Sequence, residues 1–332
     1  MDYTRVLKGA FEIAWRHKAI WLFAFIATVF GAGDGSPRFR YSLGYRFPAD
    51  EALPQPFSDI LSSPLVRSFL ENPVPFFAAF SALALVFWLV GTIARSFARG
   101  AMIAMVDEVE RSGATSIQSG ARAGTRTLAP VVGVSLLLAI PSAVILLGIV
   151  ALAMPVFYPL VKDVLSSLAA QQGFPQPPSA ESQYPGFEAL SALFPALFCL
   201  LCVGWLIGLV TTTLEKLSIR SCVLESLGVL GSIRRGWTVG LKNIGYVIIT
   251  LILFAILMFV VSLVVAIPMM ALSFASLMSL VRDPQHAMNW SVILTGAACG
   301  LVISAVIGTL LSSLVETTWT MLYMAGASHS SA

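Results

Sequence analysis

Charge is what this sequence most plainly lacks. Of 332 residues only 11% are Asp, Glu, Lys or Arg, against about 25% in soluble domains. With 57% hydrophobic residues and a mean hydropathy of +0.86, so few charges cannot cover a water-facing surface, which excludes a water-soluble enzyme. Histidine is scarce too: His17, His286 and His329 are the three, and no two share a catalytic or metal-ligand spacing. The four cysteines, Cys199, Cys202, Cys222 and Cys299, lie in or beside apolar runs, leaving neither a disulfide framework nor a zinc spacing. Cys199 and Cys202 have the CxxC form, but no basic neighbour lowers a thiol pKa there and they act as small hydrophobes. Gly-rich phosphate loops, HExxH and GxSxG are missing. Catalysis, a cofactor, a metal and a nucleic-acid partner are therefore not expected.

What is present is long apolar runs. About 20 apolar residues are needed to cross ~30 Å of hydrocarbon as a helix. Five runs meet that length: Val74–Ala94, Leu128–Leu160, Ala189–Leu214, Ile244–Leu280 and Trp290–Val315. A sixth, Ala19–Gly33, is short and follows a basic stretch ending at Lys18. It has the outline of a signal peptide, but an internal repeat claims it as a structural helix. Pro141 and Pro268 lie inside the two longest runs, where kinked single spans are expected rather than two cramped ones.

Six spans divide the basic residues unequally. Lys and Arg number 14 in residues 1–18, 95–127, 215–243 and the C-terminus, against 6 in the outer loops 34–73, 161–188 and 281–289, while Asp and Glu split 8 to 9. The positive-inside rule then places both termini in the cytoplasm.

The ends of the even spans align without a gap: VGTIARSFARGAMIAMVDEV (90–109), IGLVTTTLEKLSIRSCVLES (207–226) and IGTLLSSLVETTWTMLYMAG (307–326). Gly91, Gly208 and Gly308 coincide, as do Phe97, Leu214 and Leu314. Related segments, 7–21, 118–132 and 231–245, precede the odd spans. The reading is an all-α polytopic membrane protein of three tandem two-helix units, 1–114, 115–228 and 229–332, related by an axis along the membrane normal.

The segments before the odd spans have amphipathic helical spacing. Arg5, Lys8, Glu12 and Arg16 form one polar stripe, with Glu12 and Arg16 a favourable i,i+4 pair; Val6, Leu7, Ala10, Phe11 and Ala14 lie opposite. In the third copy Leu230, Ile233, Trp237 and Leu241 form the apolar stripe. Such helices lie along an interface with basic residues at the headgroups. Arg16, Lys18, Arg122, Arg126, Arg234, Arg235 and Lys242 are the candidate contacts to anionic lipid of the cytoplasmic leaflet, the alternative being that they only orient the spans. No ionisable residue falls in mid-span; Arg95, Glu215 and Glu316 sit at cytoplasmic ends, within snorkelling range.

Small residues mark packing faces. Gly296, Gly300, Ser304, Gly308 and Ser312 recur every fourth position, and Gly204 and Gly208 form GxxxG, a spacing that lets helix backbones approach. In the first outer loop Phe39, Tyr41, Leu43, Tyr45 and Phe47 alternate with Arg38, Arg40 and Arg46. That is a strand-period aromatic and arginine patch, for a partner edge or an interfacial belt.

One stretch carries a resemblance. RSCVLESLGVLGSIRRGWTVGLKNIGYVIITLIL (220–253), with Glu225, Gly228, Arg234, Arg235, Trp237, Lys242 and Asn243, resembles bacterial six-helix membrane proteins. Those are related to the membrane domain attached to some glycerophosphodiester phosphodiesterases. The resemblance implies a six-span fold in a bacterial inner membrane. It carries over no hydrolase activity, because no phosphodiesterase domain is appended. Function is then expected to be that of a non-catalytic scaffold or accessory subunit organising lipids or a partner protein. The alternative is a permease for a weakly charged or lipid-like solute through a cavity between repeats.

Overall fold

The computed structural model describes residues 3–30, 74–170, 186–282 and 290–330. Eight helices make up these segments: α1 (Tyr3–Arg16), α2 (Ala19–Phe30), α3 (Val74–Ser112), α4 (Ile117–Ala170), α5 (Gly186–Leu224), α6 (Val229–Lys242), α7 (Ile244–Arg282) and α8 (Trp290–Ser330). Five of them, α3, α4, α5, α7 and α8, are long and apolar enough to cross a membrane, and α1 with α2 forms a bent pair of that length, turned by 95°. Side chains such as Phe80, Phe87, Leu147, Trp205 and Phe259 are more than 60% exposed along these helices. Bare apolar surface on that scale is stable only in an apolar solvent. The chain is a helical membrane protein.

Both proline-containing runs are single continuous helices: α4 passes through Pro141 and α7 through Pro268. α4 also extends to Ala170 and α5 begins at Gly186, so both enter the region 161–188 expected as loop. α3 and α5 each end on a residue with left-handed backbone, Gly113 at φ 72° and Ser226 at φ 55°. This conformation closes a helix by returning an amide to the last turn, as Gly113 N–H does to the Val109 carbonyl at 2.8 Å.

The chain divides into two compact units. The first comprises residues 1–41, 89–137 and 213–332. α8 is its central element, since 56% of the residues in its apolar window are buried, against 17% or fewer in the other four spans. One side of the core joins Ile20, Phe23 and Ala27 of α2 to Ala98, Met102 and Met105 of α3; the other joins Leu217, Val247 and Phe254 to Trp319 and Tyr323 of α8. Glycines allow the closest approaches. A Cβ on Gly124 of α4 would lie 2.8 Å from the Phe97 carbonyl oxygen of α3, and one on Gly236 of α6 would lie 2.8 Å from the Ser218 amide nitrogen of α5. The second unit, residues 42–88 and 138–212, pairs parts of α4 and α5, with Gly204 close against Ile145.

Candidate functional site: a buried ionic knot and its amphipathic rim

Within the first unit five charged residues converge from three helices. Arg99 of α3 donates from Nη1 to Glu215 Oε1 of α5 at 3.0 Å, and its Nε lies 3.4 Å from Glu316 Oε1 of α8. Arg220 of α5 donates from Nη2 to Glu316 Oε2 at 2.6 Å and to the Glu316 carbonyl at 3.0 Å, while its Nη1 reaches the Lys216 carbonyl at 2.6 Å. Ser135 of α4 donates to Glu215 Oε1 at 2.8 Å, bringing in a fourth helix. The Lys216 ammonium lies 5.6 Å from the centre of the Trp319 ring, a cation–π distance. Arg99, Arg220 and Glu316 are all at most 5% exposed.

The expectation that Glu215 and Glu316 snorkel from the helix ends is thus overturned. Both carboxylates turn inward, because a chain that buries a guanidinium must supply it with an acceptor. Sequence periodicity missed the knot, since its paired members lie far apart in the chain, Arg99 and Glu215 by 116 residues and Arg220 and Glu316 by 96. One signal was available: Arg99, Lys216 and Glu316 each follow the aligned Gly91, Gly208 and Gly308 by the same number of residues. Among the described residues the knot formally holds three cations against two carboxylates. It is also rich in donors, for the buried Arg220 Nε and Trp319 Nε1 have no hydrogen-bond partner among the described residues.

A second polar lock lies at the α5–α6 junction. Glu225 accepts from Arg235 Nε at 3.1 Å and from the buried Tyr323 hydroxyl at 2.6 Å. Gly228 caps the start of α6 in extended conformation and Asn243 caps its end. Glu225, Arg235 and Tyr323 thus form one joint between α5, α6 and α8. Arg235 is half-buried, and the Glu225 hydrogen bond holds its pKa above the ordinary guanidinium value.

The remaining rim cations are exposed: Arg16, Lys18, Arg122, Arg126, Arg234 and Lys242. α6 docks through Ser232, Gly236 and Val239, not through its bulky stripe, and leaves Leu230, Trp237 and Leu241 bare. α1 behaves alike, burying Ala10, Ile13 and Ala14 and exposing Phe11 and Trp15. Small residues face the protein because they permit close contact, and the large apolar ones are left to the surroundings. The expected Glu12–Arg16 pair is not among the ion pairs of the described residues.

Among the packing glycines, Gly300 and Gly308 are buried and Ser304 half-buried, while Gly208 has open space where a Cβ would be. Gly296 lies in α8 outside the residues whose surroundings are described. The patch Arg38, Phe39, Arg40, Tyr41, Tyr45, Arg46 and Phe47 lies outside the described residues altogether. Cys199 and Cys202 are exposed on α5, and among the described residues no three His, Cys, Asp or Glu side chains group to hold a metal ion. In the second unit a groove of about 780 Å³ runs between α4 and α5, walled by Ile145, Ile149, Phe198, Leu201 and Trp205.

No protein-family model, curated protein or solved structure matches this chain.

Proposed function

We propose that the chain is a non-catalytic six-span scaffold of a bacterial cytoplasmic membrane, built from three tandem copies, that organises lipids or a partner protein at its cytoplasmic rim. The observation that carries this reading is the ionic knot. Its carboxylates are engaged by Arg99 and Arg220 and tie α3, α5 and α8 together, a packing role rather than the lining of a path for a charged solute. The triplication is supported by the shared register of Arg99, Lys216 and Glu316. Cyclic contacts support it too: Gly124 of the second copy meets Phe97 of the first, Gly236 of the third meets Ser218 of the second, and Gly9 of the first meets Met321 of the third. On this reading α1 and α2 together supply the sixth span with its juxtamembrane helix, both termini are cytoplasmic, and the resemblance to the six-helix family is carried by 220–253, with the rest of the fold alike in architecture alone.

The second reading, a permease for a lipid-like solute, draws on the apolar groove of the second unit, whose size suits a small hydrophobic molecule. One experiment separates the two. The full chain is purified from native membranes in mild detergent, its bound lipids and proteins are identified by mass spectrometry, and the same preparation is reconstituted for uptake measurements. Stoichiometric lipid or protein without saturable uptake supports the scaffold. Saturable uptake that is lost when Ile145→Trp fills the groove overturns it.

A further inference from the structure

The elbow between α1 and α2 is locked by one side chain. Trp21, in the first turn of α2, donates from Nε1 to the Ala14 carbonyl at 2.7 Å, satisfying one of the carbonyls left over at the end of α1. Its ring also meets Trp15 edge-on at 5.6 Å, and Trp15 in turn stacks on Phe11 at 6.0 Å with an interplanar angle of 9°. On the membrane reading above, α2 descends into the bilayer, and the Phe11–Trp15 flank of α1, which meets Trp21, looks the same way. The 95° bend lays α1 across the direction of α2. The opposite flank is fastened to protein: Ala10, Ile13 and Ala14 are buried, and Gly9 is so close to Met321 that a Cβ would lie 2.9 Å from it.

Lys8, Phe11 and Trp15 follow one another at helical spacings of three and four, so a lysine shares the aromatic flank. Arg5, Lys8, Arg16 and Lys18 are all exposed, with Glu12 the one acidic residue on α1. An aromatic band bordered by cations matches a leaflet in cross-section, with rings at the interface and positive charge at the phosphates.

We propose that α1 is an in-plane anchor that binds anionic phospholipid, with Phe11, Trp15 and Trp21 seated at the acyl–headgroup boundary and Lys8, Arg16 and Lys18 contacting the phosphates. The proposal rests on the membrane reading above and names the lipid class held at one part of the rim. A free phosphate ion would not use the aromatic band, and a partner protein would not discriminate headgroups.

Two measurements on the full chain test it. In the first, the protein is reconstituted in mixed phosphatidylcholine–phosphatidylglycerol vesicles, extracted in mild detergent, and its retained lipid quantified. Wild type is expected to be enriched in phosphatidylglycerol, with a loss of about fivefold for each charge removed in Lys8→Gln, Arg16→Gln and Lys18→Gln. In the second, a nitroxide on Phe11→Cys, in a chain whose native cysteines are replaced, is expected to collide more with oxygen than with a water-soluble nickel complex. This arm leaves the cations intact and does not depend on the charge variants folding. Unchanged phosphatidylglycerol enrichment in the triple variant overturns the phosphate assignment, and a nickel-accessible label overturns the orientation of α1. A chain that inserts into vesicles without headgroup preference defeats this proposal alone; one that fails to insert at all defeats the membrane reading beneath it.

Discussion

Glu316 is the acceptor on which the ionic knot turns, so Glu316→Gln is the sharpest perturbation available. The wild-type carboxylate lies 2.6 Å from Arg220 Nη2 and 3.4 Å from Arg99 Nε, with the Glu316 side chain only 6% exposed. The amide keeps the shape and one acceptor oxygen but removes the charge, leaving Glu215 as the knot's one carboxylate among the described residues. Breaking a buried pair from one side costs about 3–5 kcal/mol. Retention of one acceptor places Glu316→Gln near the low end, about 3 kcal/mol. Arg220→Met disturbs the charge balance less, because it leaves two cations against two carboxylates. Its loss is expected at roughly 1–3 kcal/mol, the range for a buried group left short of a partner. Replacing both, as Glu316→Leu with Arg220→Met, removes the charges together and should cost less than Glu316→Gln alone. The assay is unfolding in mixed micelles with increasing ionic detergent, followed by tryptophan fluorescence. A wild-type midpoint for Glu316→Gln, or a larger loss for Arg220→Met than for Glu316→Gln, would refute the claim that the knot carries excess positive charge.

Other expectations follow from single contacts. Gly236→Ala should destabilise the chain by about 1–3 kcal/mol, because its Cβ meets Ser218 backbone, whereas Gly208→Ala, with open space at that point, should be neutral or stabilising by up to ~1 kcal/mol; thermal scans in detergent that reverse this order would contradict the packing. Tyr323→Phe deprives Glu225 of a 2.6 Å donor and should lower stability by about 1–2 kcal/mol, with a smaller effect when Glu225 is already Gln. Ser226→Gly relieves a left-handed backbone at φ 55° and should raise the melting point, by about 1 kcal/mol in stability. For topology, cysteines at the exposed positions Thr125 and Thr238 should react with an impermeant thiol reagent only after cells are opened, while one at Ser179 reacts in intact cells. The opposite pattern inverts the orientation.

Composition alone determined that this chain belongs in a membrane, since 11% charge cannot solvate a surface of this hydropathy in water. Run lengths located the five long helices, and helical spacing marked α1 and α6 as amphipathic. The tertiary structure alone decided which face of each amphipathic helix docks. A span surface packed on protein and one bathed in lipid are equally apolar, so periodicity does not tell Trp237, which is bare, from Val239, which is buried. Close approach is what separates them, and on α6 it favours Ser232, Gly236 and Val239 over the larger Trp237 and Leu241. The fate of the charges was decided there too. Glu215 and Glu316 have the same local setting as snorkelling residues, and their partners Arg99 and Arg220 stand about a hundred residues away in sequence. Local pattern carries no information about such a pairing; only the folding of α3, α5 and α8 around one point turns helix-end charges into a buried knot.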